Sequence, residues 1–210
     1  MKAPTRTPAL PVAVASLLWF VMFSPWTAPL LPFWPVMAVS SIVLLLLGSA
    51  DGEWFGLKGT RPMLWRQLLS GIAVAAVLWT IFWAGDKLSS LLFHFARGQV
   101  DAVYGMKSGS SQTWVALQLL LLTGPAEELF WRGYVQRKLS QRHGANIGFI
   151  AATAIYTLIH IWSSNFMLVM AALTCGIVWG GLYRLRPQWL PALVVSHALW
   201  DCCVFVLFPI

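Results

Sequence analysis

Apolar residues gather in seven long stretches, at about 9 to 25, 30 to 49, 67 to 85, 113 to 139, 146 to 162, 165 to 184 and 189 to 208, with polar residues between them. A helix needs roughly 20 residues to cross a hydrocarbon core of about 30 Å. A chain in lipid must satisfy its backbone internally, so repeated runs of this length predict an all-α, polytopic membrane bundle of about seven transmembrane helices. The first two runs are joined by Trp26-Thr27-Ala28-Pro29, a turn that fits either a hairpin or one span followed by a re-entrant piece. Residues 1–210 read as a single integral membrane domain, with N-terminal helices and interfacial segments over 1–112 and a core over 113–208.

Two segments do not read as spans. Residues 50 to 66 mix Asp51, Glu53, Trp54, Phe55, Lys58, Arg61 and Trp65, a blend suited to the headgroup layer. Residues 86 to 112 pass from the amphipathic run LLFHFARG to polar GMKSGSSQ, which predicts a short surface helix and a flexible linker.

Composition supports the membrane reading. The chain is 59% apolar and 10% charged, where a soluble domain is about a quarter charged. A net charge of +7 would point to nucleic acid if the cations formed one stripe, but they are scattered between apolar runs, so no nucleic-acid partner is expected. Scattered cations report topology instead, because Lys and Arg stay on the cytoplasmic side during insertion. With the N-terminus inside, Lys2, Arg6, Lys58, Arg61, Arg66, Arg132, Arg137, Lys138, Arg142, Arg184 and Arg186 are cytoplasmic, and Lys87, Arg97 and Lys107 are outside. One helix fewer before residue 50 would reverse every later side, so the bias supports the count as well as a cytoplasmic N-terminus. Lys2 and Arg6 ahead of an apolar run resemble a signal peptide, but no small-x-small cleavage site follows, and a retained first helix is expected. Cys175, Cys202 and Cys203 lie in apolar segments without CxxC spacing and read as small buried hydrophobes.

Ionisable groups at bilayer depth cost about 2.5 to 3.5 kcal/mol each, so each needs a partner or a purpose. They are concentrated late: Glu127, Glu128 and Arg132 in the fourth run, His160 in the fifth, His197 and Asp201 in the seventh. On a helix, Glu128 and Arg132 share a face at i, i+4, while Glu127 points about 100° away and is left free. Gly124 and Pro125 just upstream predict a bend that opens room for water, and a carboxylate beside water is a candidate general base. His160 follows Tyr156, and His197 precedes Asp201, each at i, i+4 on one helix face. Three helices would then converge on a polar intramembrane cavity. Two histidines and a glutamate could ligate zinc or could handle water without a metal, and the residues alone leave both open. An isolated intramembrane His is more often a packing residue, and an i, i+4 Glu–Arg pair is commonly structural; co-occurrence in an otherwise uncharged core favours chemistry. Trp131, Trp162, Trp179 and Trp200 read as interfacial anchors or core filler.

The run Glu127-Glu128-Leu129-Phe130-Trp131-Arg132 resembles the EExxxR motif of the CPBP family, the CAAX-protease and bacteriocin-processing intramembrane proteases also called ABI. Tyr156 to His160 resembles its second motif, and His197 to Asp201 its third, HxxxN or HxxxD, in the same order over roughly residues 113 to 208. Three ordered motifs on three predicted helices are far more specific than EExxxR alone. The resemblance implies an intramembrane endopeptidase in which Glu127 activates water with help from His160. It further implies that His197 and Asp201 stabilise the oxyanion and that Glu128 with Arg132 holds the architecture. It favours glutamate over zinc, with no cofactor expected and zinc as the alternative. Asp201 stands where better-studied members have Asn, and a carboxyl donates to an oxyanion only when protonated. Otherwise Asp201 would orient His197, bind a metal or tune selectivity.

The expected partner is a membrane-associated or exported protein or peptide substrate, in a multi-pass protein of a prokaryotic cytoplasmic membrane. Nothing in the sequence shows the lipid-modified cysteine substrate that names the CAAX branch. A non-catalytic scaffold or bacteriocin-immunity-type protein using the same cavity is the alternative. A proton-coupled transporter is disfavoured, because intramembrane charges occupy one half only and no repeat is visible.

Overall fold

The computed structural model describes residues 7–50, 52–57 and 63–210. Lys2, Arg6, Lys58 and Arg61, counted above for topology, and Asp51 of the interfacial segment lie outside the described residues. The described residues form eight helices and no strand. These are α1 (Ala9–Phe23), α2 (Phe33–Ser49), α3 (Leu64–Leu92), α4 (Ala96–Gly105), a continuous helix α5 (112–143), α6 (Ala145–Ser163), α7 (Phe166–Leu185) and α8 (Pro187–Leu207). Seven occupy the seven apolar runs, and α4 is the expected short surface helix.

Helices α3, α6, α7 and α8 are long and apolar enough to cross a membrane. α1 and α2 are apolar but shorter, at 15 and 17 residues. α5 is long but carries the buried charges. Leu68, Leu69, Ile72 and Val77 of α3 are exposed, as are Leu17 of α1, Ile150 of α6 and Ile177 of α7. Large aliphatic side chains on an outer surface are what lipid requires and what water would penalise. The protein is an integral membrane protein.

The two ends of the bundle differ. At one, the turn after α2 folds inward: Phe55, with φ of 58°, is buried against Gly48 of α2 and Gly133 of α5. Glu53 pairs with Arg137 and Lys138 beside it. The sequence places Phe55 in the headgroup layer; the structure uses it as a plug, because Gly48 and Gly133 leave a hole that its ring fills. Arg132 is buried inside the bundle and paired with Glu128, as its i, i+4 spacing predicts, so it drops out of the cytoplasmic charge count.

At the other end α3 runs past its expected limit, so that Asp86 lies within the helix, buried and paired with Arg97 of α4 at 3.2 Å. The segment read as a flexible linker is tied down, with Met106 O accepting from Trp34 Nε1 and Lys107 Nζ donating to Phe205 O. Gln99 of α4 accepts through its backbone carbonyl from Asn165 and through its side chain from Met167 N, which fixes α4 to the start of α7.

α8 runs through the middle. Its backbone comes so near α5 that a Cβ on Gly124 would fall 2.7 Å from Ala198 Cα. Only glycine permits that approach, and it sets Glu127, three residues on, beside His197.

Candidate active site

α5 is not a uniform α-helix. Wider π turns, Leu119–Thr123 and Leu129–Gln136, flank the short α stretch Gly124–Glu128 that carries both glutamates. The chain stays helical through Pro125, and the helical register changes on either side of it. A π turn removes the strict need for an i−4 partner at a proline nitrogen, and such turns recur at functional sites.

The register sends the two glutamates to different places. Glu128 is fully buried, and its Oε2 accepts from Arg132 Nη1 at 3.3 Å and from His197 Nδ1 at 3.1 Å. Arg132 also donates to the Cys175 carbonyl at 3.3 Å and lies over the rings of Tyr156 and Trp179. A guanidinium spread over a carboxylate, a carbonyl and two ring faces locks α5 to α6 and α7. Glu127 points elsewhere, onto the wall of a cavity of about 470 Å³, with the Tyr156 hydroxyl 3.5 Å from its Oε2.

That cavity gathers the predicted residues. Glu127, Tyr156, His160, His197 and Asp201 all line it, although they come from α5, α6 and α8. The rest of its wall is mostly apolar, from Phe23 and Phe33 to Phe166, Met170 and Phe205. Glu128 and Arg132 stand behind it.

The histidines are held differently. His160 Nδ1 lies 2.7 Å from the Tyr156 carbonyl, which only accepts, so Nδ1 carries the proton. Its Nε2 accepts from Trp19 Nε1 at 3.1 Å, and the pair is buried. His197 Nδ1 faces the Glu128 carboxylate and its Nε2 faces Asp201 Oδ2 at 3.6 Å. Trp179 lies flat on the His197 ring, centroids 4.0 Å apart and 21° from parallel, and donates to Ser196 Oγ.

Residues 108–203 match the family model described as type II CAAX prenyl endopeptidase Rce1-like. Over this segment, a little under half of its length, the chain is similar to the CAAX-protease family. The description of that model is of an endopeptidase family. No curated protein and no solved structure matches the chain. The matched segment contains all three motifs, while Trp19 and Asp86 lie outside it.

Several of these partners escape sequence reasoning. Trp19 is one of the chain's thirteen tryptophans and sits in an apolar run, with nothing local to separate it from a lipid anchor. Trp179 reads as filler for the same reason, yet stacks on a site histidine. Asp86 carries a signal, a lone carboxylate near a helix end, but the helix extends farther than its hydropathy suggests.

The histidine nitrogens are already engaged within the protein. Both His160 nitrogens are committed, one to a carbonyl and one to an indole N–H that offers no lone pair, and His197 Nδ1 faces Glu128. Among the described residues no three His, Cys, Asp or Glu side chains converge as metal ligands do.

Proposed function

We propose that the protein is a glutamate-dependent intramembrane endopeptidase in which Glu127 is the general base. The observation that carries this reading is the separation of the adjacent carboxylates: Glu128 is consumed by Arg132 and His197, and Glu127 faces the cavity with only a 3.5 Å phenol contact.

A water held by Glu127 loses a proton to the carboxylate as its oxygen attacks the peptide carbonyl. The carbonyl oxygen becomes an oxyanion, and Glu127 returns the proton to the leaving amine as the C–N bond breaks. His197, donating through Nδ1 to Glu128 and carrying a second proton as the imidazolium, presents Nε2–H beside a protonated Asp201 toward the cavity, where the N–H and O–H stabilise the oxyanion. His160 helps by accepting from the water through Nε2, the one nitrogen with a lone pair, when that atom exchanges the indole N–H for water. Tyr156 orients Glu127. The substrate is a membrane-associated or exported polypeptide, and the apolar wall favours an apolar stretch beside the scissile bond.

The test compares peptide termini by mass spectrometry in membranes holding wild type or Glu127→Gln at matched levels. The carboxamide keeps the shape and removes the base, so termini present with wild type should fall by about 10²-fold or more. Identical termini from two folded proteins would remove the peptidase mechanism and leave a binding role for the cavity.

A further inference from the structure

The cavity occupies one half of the bundle. Its wall is built from the ends of α3, α6 and α8 that lie near α4, from α4 itself, and from the stretch of α5 that precedes Glu128. The opposite end is filled by Phe55 and by Glu53 with Arg137 and Lys138. A path from Glu127 to the surface therefore leads toward α4 and not toward the plug.

The rim reaches the lipid-facing surface between α3 and α7, where Ile81, Phe93, Phe166 and Met170 both line the cavity and are exposed. Cations divide unequally between the two ends. Among the described residues Arg66, Arg137, Lys138, Arg142, Arg184 and Arg186 lie at the plugged end, against Lys87, Arg97 and Lys107 at the open end. Flanking Lys and Arg stay in the cytoplasm on insertion, so the plugged end is the cytoplasmic one.

We infer that the cavity opens on the extracytoplasmic side of the membrane, and that the substrate is a polypeptide presented from that side, with an apolar segment entering between α3 and α7. This rests on the peptidase reading for the word substrate, whereas the side of the opening stands on geometry and charge alone. The cleaved bond then lies in the outer half of the bilayer, in a chain that has already been exported or inserted.

Single cysteines at Ser108, exposed beside α4, and at Gln141, exposed near the plug, separate the two sides. A membrane-impermeant maleimide applied to intact cells, with the unsubstituted chain as background, should label Ser108→Cys at once and Gln141→Cys only after permeabilisation. The reverse pattern overturns the inference. In parallel, one apolar peptide reporter is anchored so that its cleavable segment faces either side, and each form is expressed with wild type or Glu127→Gln. Cleavage of the extracytoplasmic form alone, lost in the variant, supports the inference; cleavage of the cytoplasmic form alone overturns it. If neither form is cut although Ser108→Cys labels from outside, the peptidase reading fails and the side of the opening stands.

Discussion

Trp19 and His160 lie 141 residues apart in sequence, and the indole N–H of the first donates to the ring Nε2 of the second at 3.1 Å. Since His160 Nδ1 is already spent on the Tyr156 carbonyl, this bond fills the only lone pair the imidazole has. The first helix, which precedes the family segment, thereby fixes both the tautomer and the orientation of a site residue.

Removing either partner strands a buried polar atom, which costs about 1 to 3 kcal/mol, so Trp19→Phe and His160→Phe should each lower stability. In the double variant neither atom is stranded. A double-mutant cycle on unfolding in detergent should return a coupling of about 1 kcal/mol or more. Strictly additive effects would mean that the bond contributes nothing.

Arg132→Met should be the most damaging change at the site. It removes the guanidinium from the fully buried Glu128 while leaving the carboxylate in place. Breaking a buried ion pair by removing one partner costs about 3 to 5 kcal/mol, lessened here by the bond that His197 still makes to Glu128, and still enough to deplete the folded protein. Adding Glu128→Gln removes that charge and should recover part of the yield of folded protein, measured by size-exclusion profile and thermal unfolding. Equal losses in the single and double variants would argue that Arg132 acts only through Cys175 and the aromatic rings.

Gly124→Ala tests the approach of α5 and α8. The added Cβ would stand 2.7 Å from Ala198 Cα, so the helices must part, at about 1 to 3 kcal/mol. Ala198 follows His197 directly, and a displaced imidazole should lower kcat more than it raises KM. A fall in stability with kcat unchanged would show that the site tolerates the shift.

Asp201→Asn separates two roles for this carboxyl. A carboxyl donates to an oxyanion only while protonated, whereas an amide donates at every pH. The wild type should lose activity as pH rises through the titration of Asp201, and that alkaline limb should be absent in Asp201→Asn with activity retained at lower pH. Loss of activity at all pH values would instead assign Asp201 to holding His197, which it faces at 3.6 Å.

The split between Glu127 and Glu128 was legible in the chain, because an i, i+4 carboxylate–guanidinium pair needs only helical geometry, and the π turns on either side leave it intact. The convergence of His160 and His197 on Glu127 could be argued only as an expectation, since burial cost says that these groups need partners without saying which. The π turns that flank Gly124-Pro125 are not legible in the sequence, because a proline's missing N–H can be accommodated by register as well as by curvature. Phe55 and the stretch after α4 depart from their sequence reading for a common reason: their local composition suits water or headgroups, and packing against distant helices outweighs it.

The sequence by itself determined the membrane bundle, its seven apolar helices and the motif residues, since hydropathy runs and helical spacing are local properties that lipid leaves little freedom to override. Only the tertiary structure decided that Glu128 serves His197 as well as Arg132, that Trp19 holds His160, and that the cavity opens away from the plug at Phe55. Those are contacts between elements far apart in the chain, set by side-chain shape and by the close approach that Gly124 allows, and no local pattern encodes them.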